Sequence, residues 1–322
     1  MSKRIVLSLL TAASVGLGTL VAQAQTYPSR PIKVVVPFAA GGPLDLVART
    51  LSDKLSARLK QPFVIENRVG AGGNLGAEVV AKAPPDGYTL LMVLATTLTA
   101  NPALYKKLPF DADKDLRPIS LLTNSSQMMV VHPSVPVNSL AEFVALAKKE
   151  PLTYAHAGPG SGGHLTMEYF RTVAGFETVQ VPYRGNAPLV IDLVAGQVKA
   201  GFVSTAGVIG HVRAGRLKGL AISSAKRSPL APDVPTTAEA GYPDFKVDTY
   251  FAMLGPAGLP EPVADLLERE TLLALQLPDL QEKLRAQDIE VVGTTGAEAR
   301  VRLRADTELW ARITKAANMR VD

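Results

Sequence analysis

The 322-residue chain contains no cysteine, one tryptophan and four histidines, and only 6% of its residues are aromatic. Without cysteine there can be neither a disulfide framework nor lipidation at a cysteine. With basic residues scattered and aromatics scarce, no cationic groove with interleaved rings can be assembled, which removes the case for nucleic acid. No H-E-x-x-H and no carboxylate cluster at metal-ligand spacing occurs, and His132 and His211 stand apart from His156 and His164. No metal and no cofactor is expected.

What the chain does have is glycine where strands become helices. Ile32-Lys-Val-Val-Val36 is a short β-branched run that reads as a buried parallel strand, ended by Pro37. From Leu44 onward, Val47, Ala48, Leu51, Leu55 and Leu59 recur on one helical face, with Asp45 and Arg49 one turn apart on another. Gly41 and Gly42 thus precede a helix N-terminus, where free N–H groups and the helix dipole can hold a carboxylate or phosphate. Asp45 reads as a first-turn helix residue rather than a catalytic acid. The pattern returns as a strand over 152–156, the turn Ala157-Gly-Pro-Gly-Ser-Gly-Gly163 and a helix from His164 to about Ala174.

The opening residues fix the compartment. Met1-Ser-Lys-Arg4, an apolar run over 5–21 and Ala22-Gln-Ala24 form a secretory signal peptide with cleavage expected after Ala24. Its removal takes Lys3 and Arg4 and no acid, lowering the formal charge of +5 by two. A soluble exported protein is expected, periplasmic in a Gram-negative source.

In between, strands alternate with helices of about ten to fifteen residues, the signature of parallel βαβ units. Strands are expected over 62–67, 88–94, 178–181, 200–203, 217–223 and 289–292. Thr96 and Thr97 follow a strand's carboxyl end, as cleft residues or as helix caps. The turn 70–76 leads into a helix over 75–83, Thr236-Thr-Ala-Glu239 should cap a short helix, and Thr295-Gly-Ala-Glu298 should open a long final one. That last helix carries Leu303, Leu309, Trp310 and Ile313 and is expected to pack on the first domain. The runs over 116–131 and 249–255 read as crossings, giving domain 1 as 25–124 with 248–322 and domain 2 as 125–247.

Two enzymatic readings deserve weighing. Gly158-Pro-Gly-Ser-Gly-Gly163 fits the dinucleotide fingerprint, but Val181, Pro182, Tyr183 and Arg184 stand where a ribose-binding acid belongs. Ser161 lacks the nucleophile-elbow spacing because Pro159 replaces the first glycine, leaving a hydrolase built on Ser161 and His164 as an alternative. A ligand-binding sensor component is the other.

Several segments together resemble the Bug-type substrate-binding receptors of tripartite tricarboxylate transporters. They are Tyr27-Pro-Ser-Arg-Pro-Ile-Lys33, Pro37-Phe-Ala-Ala-Gly-Gly-Pro-Leu-Asp45 with Arg49, Glu66-Asn-Arg-Val-Gly-Ala-Gly-Gly-Asn-Leu-Gly76, Pro85-Asp-Gly-Tyr-Thr-Leu90, Val181-Pro-Tyr-Arg-Gly185 and Pro235-Thr-Thr-Ala-Glu-Ala-Gly241. The resemblance implies an α/β, two-domain periplasmic-binding-protein fold of the second type. It further implies a small carboxylate ligand, a membrane permease as partner, a monomer and no enzymatic activity. Carried over residue by residue, it implies a pincer in which Phe38, Ala39, Gly41, Gly42, Leu44 and Asp45 face Ala157, Gly158, Ser161, Gly162, Gly163 and His164. Thr96, Thr97, Tyr183, Ser204 and Thr205 would lie near the rest of the ligand. Ser204-Thr-Ala-Gly207 replaces a segment that often begins with an acid, and a bulky Leu44 follows Pro43, which argues against amino-acid ligands.

Overall fold

Strand β1 (Ile32–Val36) is buried on both faces because its side chains alternate between two apolar layers. On one side Val34 and Val36 pack with Val47, Leu51 and Leu55 of α1 (Pro43–Leu59). On the other, Val35 meets Ala77 and Val80 of α2 (Asn74–Ala81). Pro43 opens α1 at its first position, where its missing N–H costs nothing. In this computed structural model residues 27–245 and 247–321 are described, so the expected signal peptide over residues 1–24 lies outside them.

β1 pairs in parallel with β2 (Phe63–Asn67) and β3 (Thr89–Leu94), the βαβ arrangement that the alternation predicts. The chain then passes three short helices, α3 (Ala95–Thr99), α4 (Asn101–Leu104) and α5 (Ala112–Asp115), before entering β4 (Leu116–Val131). Thr96 and Thr97 therefore lie inside a helix rather than at its cap. A 3₁₀ turn over Ala71–Gly73 precedes α2, so the helix expected over 75–83 begins and ends earlier.

β4 is one continuous 16-residue strand, and it belongs to both halves of the molecule. Its first part pairs with β9 (Asp248–Pro256), which pairs in turn with β3. Its last part lies between β7 (Ala200–Ser204) and β8 (Lys218–Ile222). Beyond β4 come α6 (Leu140–Ala147), β5 (Leu152–His156), α7 (Gly162–Ala174), β6 (Thr178–Pro182), α8 (Asn186–Val194) and, after β7, α9 (Thr205–Arg213). β5 and β6 pair in parallel, as a strand joined to its neighbour by the crossover helix α7 should. Parity again sorts the core. Met129 and Val131 pack with Phe143, Phe170 and Phe202, while Met128 and Val130 pack with Leu189, Leu193 and Val208.

The chain closes with α10 (Glu261–Leu275), α11 (Pro278–Arg285), the two-residue β10 (Glu290–Val291) and α12 (Gly296–Ala316). A full capping box starts α12, with Thr295 and Glu298 each bonding the other's backbone N–H. Ala299 and Leu303 pack beside β1 and β3, but Trp310 packs with Met129 and Phe143. The final helix thus packs on the cores of both halves of the molecule instead of resting on the first alone, and Leu309 is 41% exposed rather than core. Thr236 and Glu239 make the hydrogen bonds of a capping box without a following helix, because the chain turns at once through Gly241 at φ +101°.

The candidate ligand cavity

Two glycine turns meet over the middle of β4 and β9. Across this stretch Asn124, Ser125 and Ser126 pair with Tyr250, Thr249 and Asp248. Alternate residues face opposite sides of the strand pair. Ser125 and Gln127 lie on the side of the glycine turns, whereas Asn124 and Ser126 line a second cavity beside α11 and β10.

The turn before α1 and the turn before α7 enclose a cavity of about 50 Å³. Phe38, Ala39, Gly42, Leu44 and Asp45 line it from one turn, and Ala157, Ser161, Gly162 and Gly163 from the other, with Ser204 at the end of β7. Pro43, Leu94, Gln127, Asn186, Thr249 and Phe251 complete the lining. The remaining candidates stand behind this wall. Gly41 is exposed and Gly158 donates its N–H to His156 Nδ1 (3.2 Å). Thr97 Oγ1 donates to Gly72 O (2.9 Å), fixing the 3₁₀ turn. Tyr183 donates its hydroxyl to Asp192 (2.8 Å), and Thr205, next in the chain to the lining residue Ser204, is fully buried.

Thr96 has a different task. Its Oγ1 donates to Gly160 O (3.0 Å), tying the chain after β3 to the turn after β5. A Cβ placed on Gly185 would stand 3.1 Å from Ala39 Cβ, so the first turn also touches the entry to α8. These contacts hold the chain after β3 and the first turn against the segments that follow β5 and β6.

Each turn is braced from within. Asp45, 4% exposed, accepts from Gly41 N–H (3.0 Å), Arg49 Nε (2.8 Å) and Nη2 (3.0 Å), and Asn67 Nδ2 (3.0 Å). Burial opposes the charge on Asp45, but the Arg49 guanidinium, the Gly41 N–H and the Asn67 amide together hold its carboxyl below the usual carboxylate range. The second turn uses neutral groups. His164 Nδ1 accepts from Gly160 N–H (3.1 Å) and Ser161 Oγ accepts from His164 N–H (3.4 Å) as the helix cap. Burial, with the tilted His156 ring 4.6 Å away, pushes His164 down to about 3, and burial lowers His156 as well.

The hydrolase alternative fails on this geometry. Ser161 Oγ is a helix cap accepting from a backbone N–H, and among the described residues no hydrogen bond joins it to an imidazole nitrogen, so the nucleophile–base pair is not assembled. Among the described residues no cluster of metal-ligating side chains occurs.

What remains available for a ligand is backbone. Among the described residues no hydrogen bond engages the amides of Gly42, Leu44, Asp45, Gly162 or Gly163, which open the two helices. Two helix dipoles point their positive ends at one small cavity. Sequence reasoning found the turns because glycine marks them. It missed Gln127, Thr249 and Phe251, which enter only through the register of β4 against β9.

An α/β chain with two glycine-turn helix N-termini converging beside its crossing strands, and no assembled catalytic group, has the construction of a solute-binding receptor rather than an enzyme. The comparisons agree. Residues 47–319 match the family described as TctC, tripartite tricarboxylate transporter family receptor, and the chain belongs to that family. It is 36% identical over 295 residues to protein BugT of Bordetella pertussis, covering 91% of this chain and 90% of that protein. Among solved structures it resembles Rpa4515 of R. palustris with adipate (TM-score 0.88, 32% identity, 92% of this chain and 100% of that one). It also resembles MatC of Rhodopseudomonas palustris with bound malate (TM-score 0.85, 33% identity, 89% of this chain and 99% of that one). The fold is that of periplasmic binding proteins, and the family's receptors are periplasmic. No helix of the described residues is long and apolar enough to cross a membrane.

Proposed function

We propose that this receptor captures a small carboxylate between its two glycine turns and delivers it to the membrane permease of a tripartite transporter. The observation that carries the reading is the convergence of unengaged amides from Gly42, Leu44, Asp45, Gly162 and Gly163 on one small cavity. The adipate and malate held by structurally similar proteins support a carboxylate as the ligand. The site comprises the pincer residues that line the cavity, with Thr96 and His164 as supports.

The proposal includes the hinge. Residues 25–124 with 248–322 form one domain and residues 125–247 the other, joined where β4 and β9 run side by side. Ligand binding favours the closed arrangement to the extent that contacts such as Thr96 to Gly160 exist only there. The chain acts as a monomer, exported to the periplasm and cleaved after Ala24.

Thermal unfolding of the purified protein against a panel of mono-, di- and tricarboxylates tests the function. A ligand at 100 times its dissociation constant adds about 2.7 kcal/mol to stability, which a melting curve resolves. A midpoint raised by one class of acids, recovered unchanged, supports capture; a folded, ligand-free protein indifferent to all of them contradicts it.

A further inference from the structure

We infer that the cavity behind the crossing strands is a second binding site, which takes a small, multiply charged anion and steadies the two halves of the molecule against each other. Its effect on the ligand cavity rests on the hinge of the proposed function.

The second cavity has a volume of about 480 Å³, within the range of roughly 300–1,000 Å³ typical of small-molecule sites. It lies on the face of β4 turned away from the glycine turns, with Asn124 and Ser126 supplying polar groups. The half that contains β8 contributes Lys226, Arg227 and Ser228 to its lining. The half that contains α11 and β10 contributes Arg285, Asp288 and Glu290.

Not all of these charges are available to a guest. Arg227 Nε donates to Glu239 (2.8 Å), and Asp288 accepts from Ser228 Oγ (2.6 Å), a bond that joins the two halves directly. Among the described residues neither Lys226 nor Arg285 makes an ion pair, and Glu290 makes none either. That leaves two cations against one carboxylate, and each half supplies one of the cations. Both are exposed, so either alone would hold an anion weakly. An anion with more than one charge engages both and thereby bridges the halves.

The position of the cavity gives the bridge a consequence. β4 is a wall of both cavities, Gln127 facing one and Asn124 and Ser126 the other. A bend of the crossing strands that separates the glycine turns narrows the space behind them. An anion held by Lys226 and Arg285 fixes that rear width, as the Ser228–Asp288 bond does. It therefore favours the arrangement in which Thr96 reaches Gly160. Linkage makes the effect mutual: the anion raises carboxylate affinity by the same factor as the carboxylate raises the anion's.

Inorganic pyrophosphate is the probe, titrated into the labelled protein at constant ionic strength because salt screens exposed cations. The amides of Ser126, Asp288 and Ile289 should shift most and saturate together. Lys226→Ala and Arg285→Ala should each weaken binding about fivefold. Glu290→Gln removes the opposing charge and should tighten it, a gain that no folding defect produces. Saturating pyrophosphate should in turn tighten binding of the carboxylate selected by the unfolding panel by about fivefold or more. No saturable binding, binding indifferent to all three substitutions, or shifts confined to Gly42, Gly162 and Gly163 would overturn the site. An unchanged carboxylate affinity would overturn the coupling. If the panel selects no carboxylate, capture fails and the coupling with it, while the pyrophosphate titration still decides the rear site.

Discussion

The two glycine turns have the same sequence logic and opposite supports. Before α1, an ion pair does the bracing: buried Asp45 binds its own turn and Arg49. Before α7, neutral His164 and the cap Ser161 hold the loop. Both solutions leave helix-opening amides unengaged, and neither adds a net positive side chain to the cavity. On the proposed reading, anion recognition is a property of backbone dipoles, which would fix where a carboxylate sits and leave the far wall to choose its remainder.

The turns also differ in how tightly they are packed, and the largest effects should expose that. A Cβ on Gly163 would be driven into the carbonyl oxygen of Phe202, a backbone atom in β7 that cannot swing aside. A Cβ on Gly42 would meet only Ala39 O at 3.6 Å, at an ordinary φ of −83°. Gly163→Ala should therefore cost about 3 kcal/mol by overpacking, with Gly42→Ala within about 0.5 kcal/mol of wild type, both read by denaturant unfolding. Equal costs would mean that the two turns are packed alike.

Acid should separate the two braces by pH window. The unfolded chain protonates His164 near its ordinary 6.5, whereas the folded protein resists until about 3. Folding stability therefore falls as pH drops below 6.5, by up to about 1.4 kcal/mol per unit for this group, and levels off below about 3. Asp45, with its folded value depressed, contributes stability above its ordinary 3.8 and loses it only as pH falls through and below that point. His164→Asn keeps an acceptor for Gly160 N–H and should flatten the loss between pH 6.5 and 4, incompletely because His156 titrates in the same sense. An unchanged slope would remove His164 from the account.

A smaller effect is expected at the other brace. Asp45→Asn leaves Arg49 without its partner, but Arg49 is half exposed and water takes over part of the role. A loss of about 1–2 kcal/mol in unfolding, with weaker carboxylate binding than the stability change alone explains, is the expected outcome.

The same contrast explains what could be read from sequence. Glycines at 41–42 and 158–163 announce themselves because strand-to-helix turns need them, and the apolar periodicity from Val47 to Leu55 places α1 unaided. Gln127 and Thr249 carry no such mark. They reach the cavity because a 16-residue strand runs through both halves of the molecule and sets β9 beside it in one register. Trp310 likewise shows why periodicity alone misplaces the last helix: the pattern gives its apolar face, while only the packing reveals that the face meets the cores of both halves.

The central claim is that a carboxylate is held by the amides at the two helix N-termini. Amide proton and nitrogen shifts of the labelled protein, followed through a titration with the tightest-binding carboxylate, test it most directly. Gly42, Gly162 and Gly163 should show the largest downfield proton shifts, saturating together. Saturable binding that leaves those amides unmoved while Asn124, Ser126 or Asp288 of the second cavity respond would contradict the account.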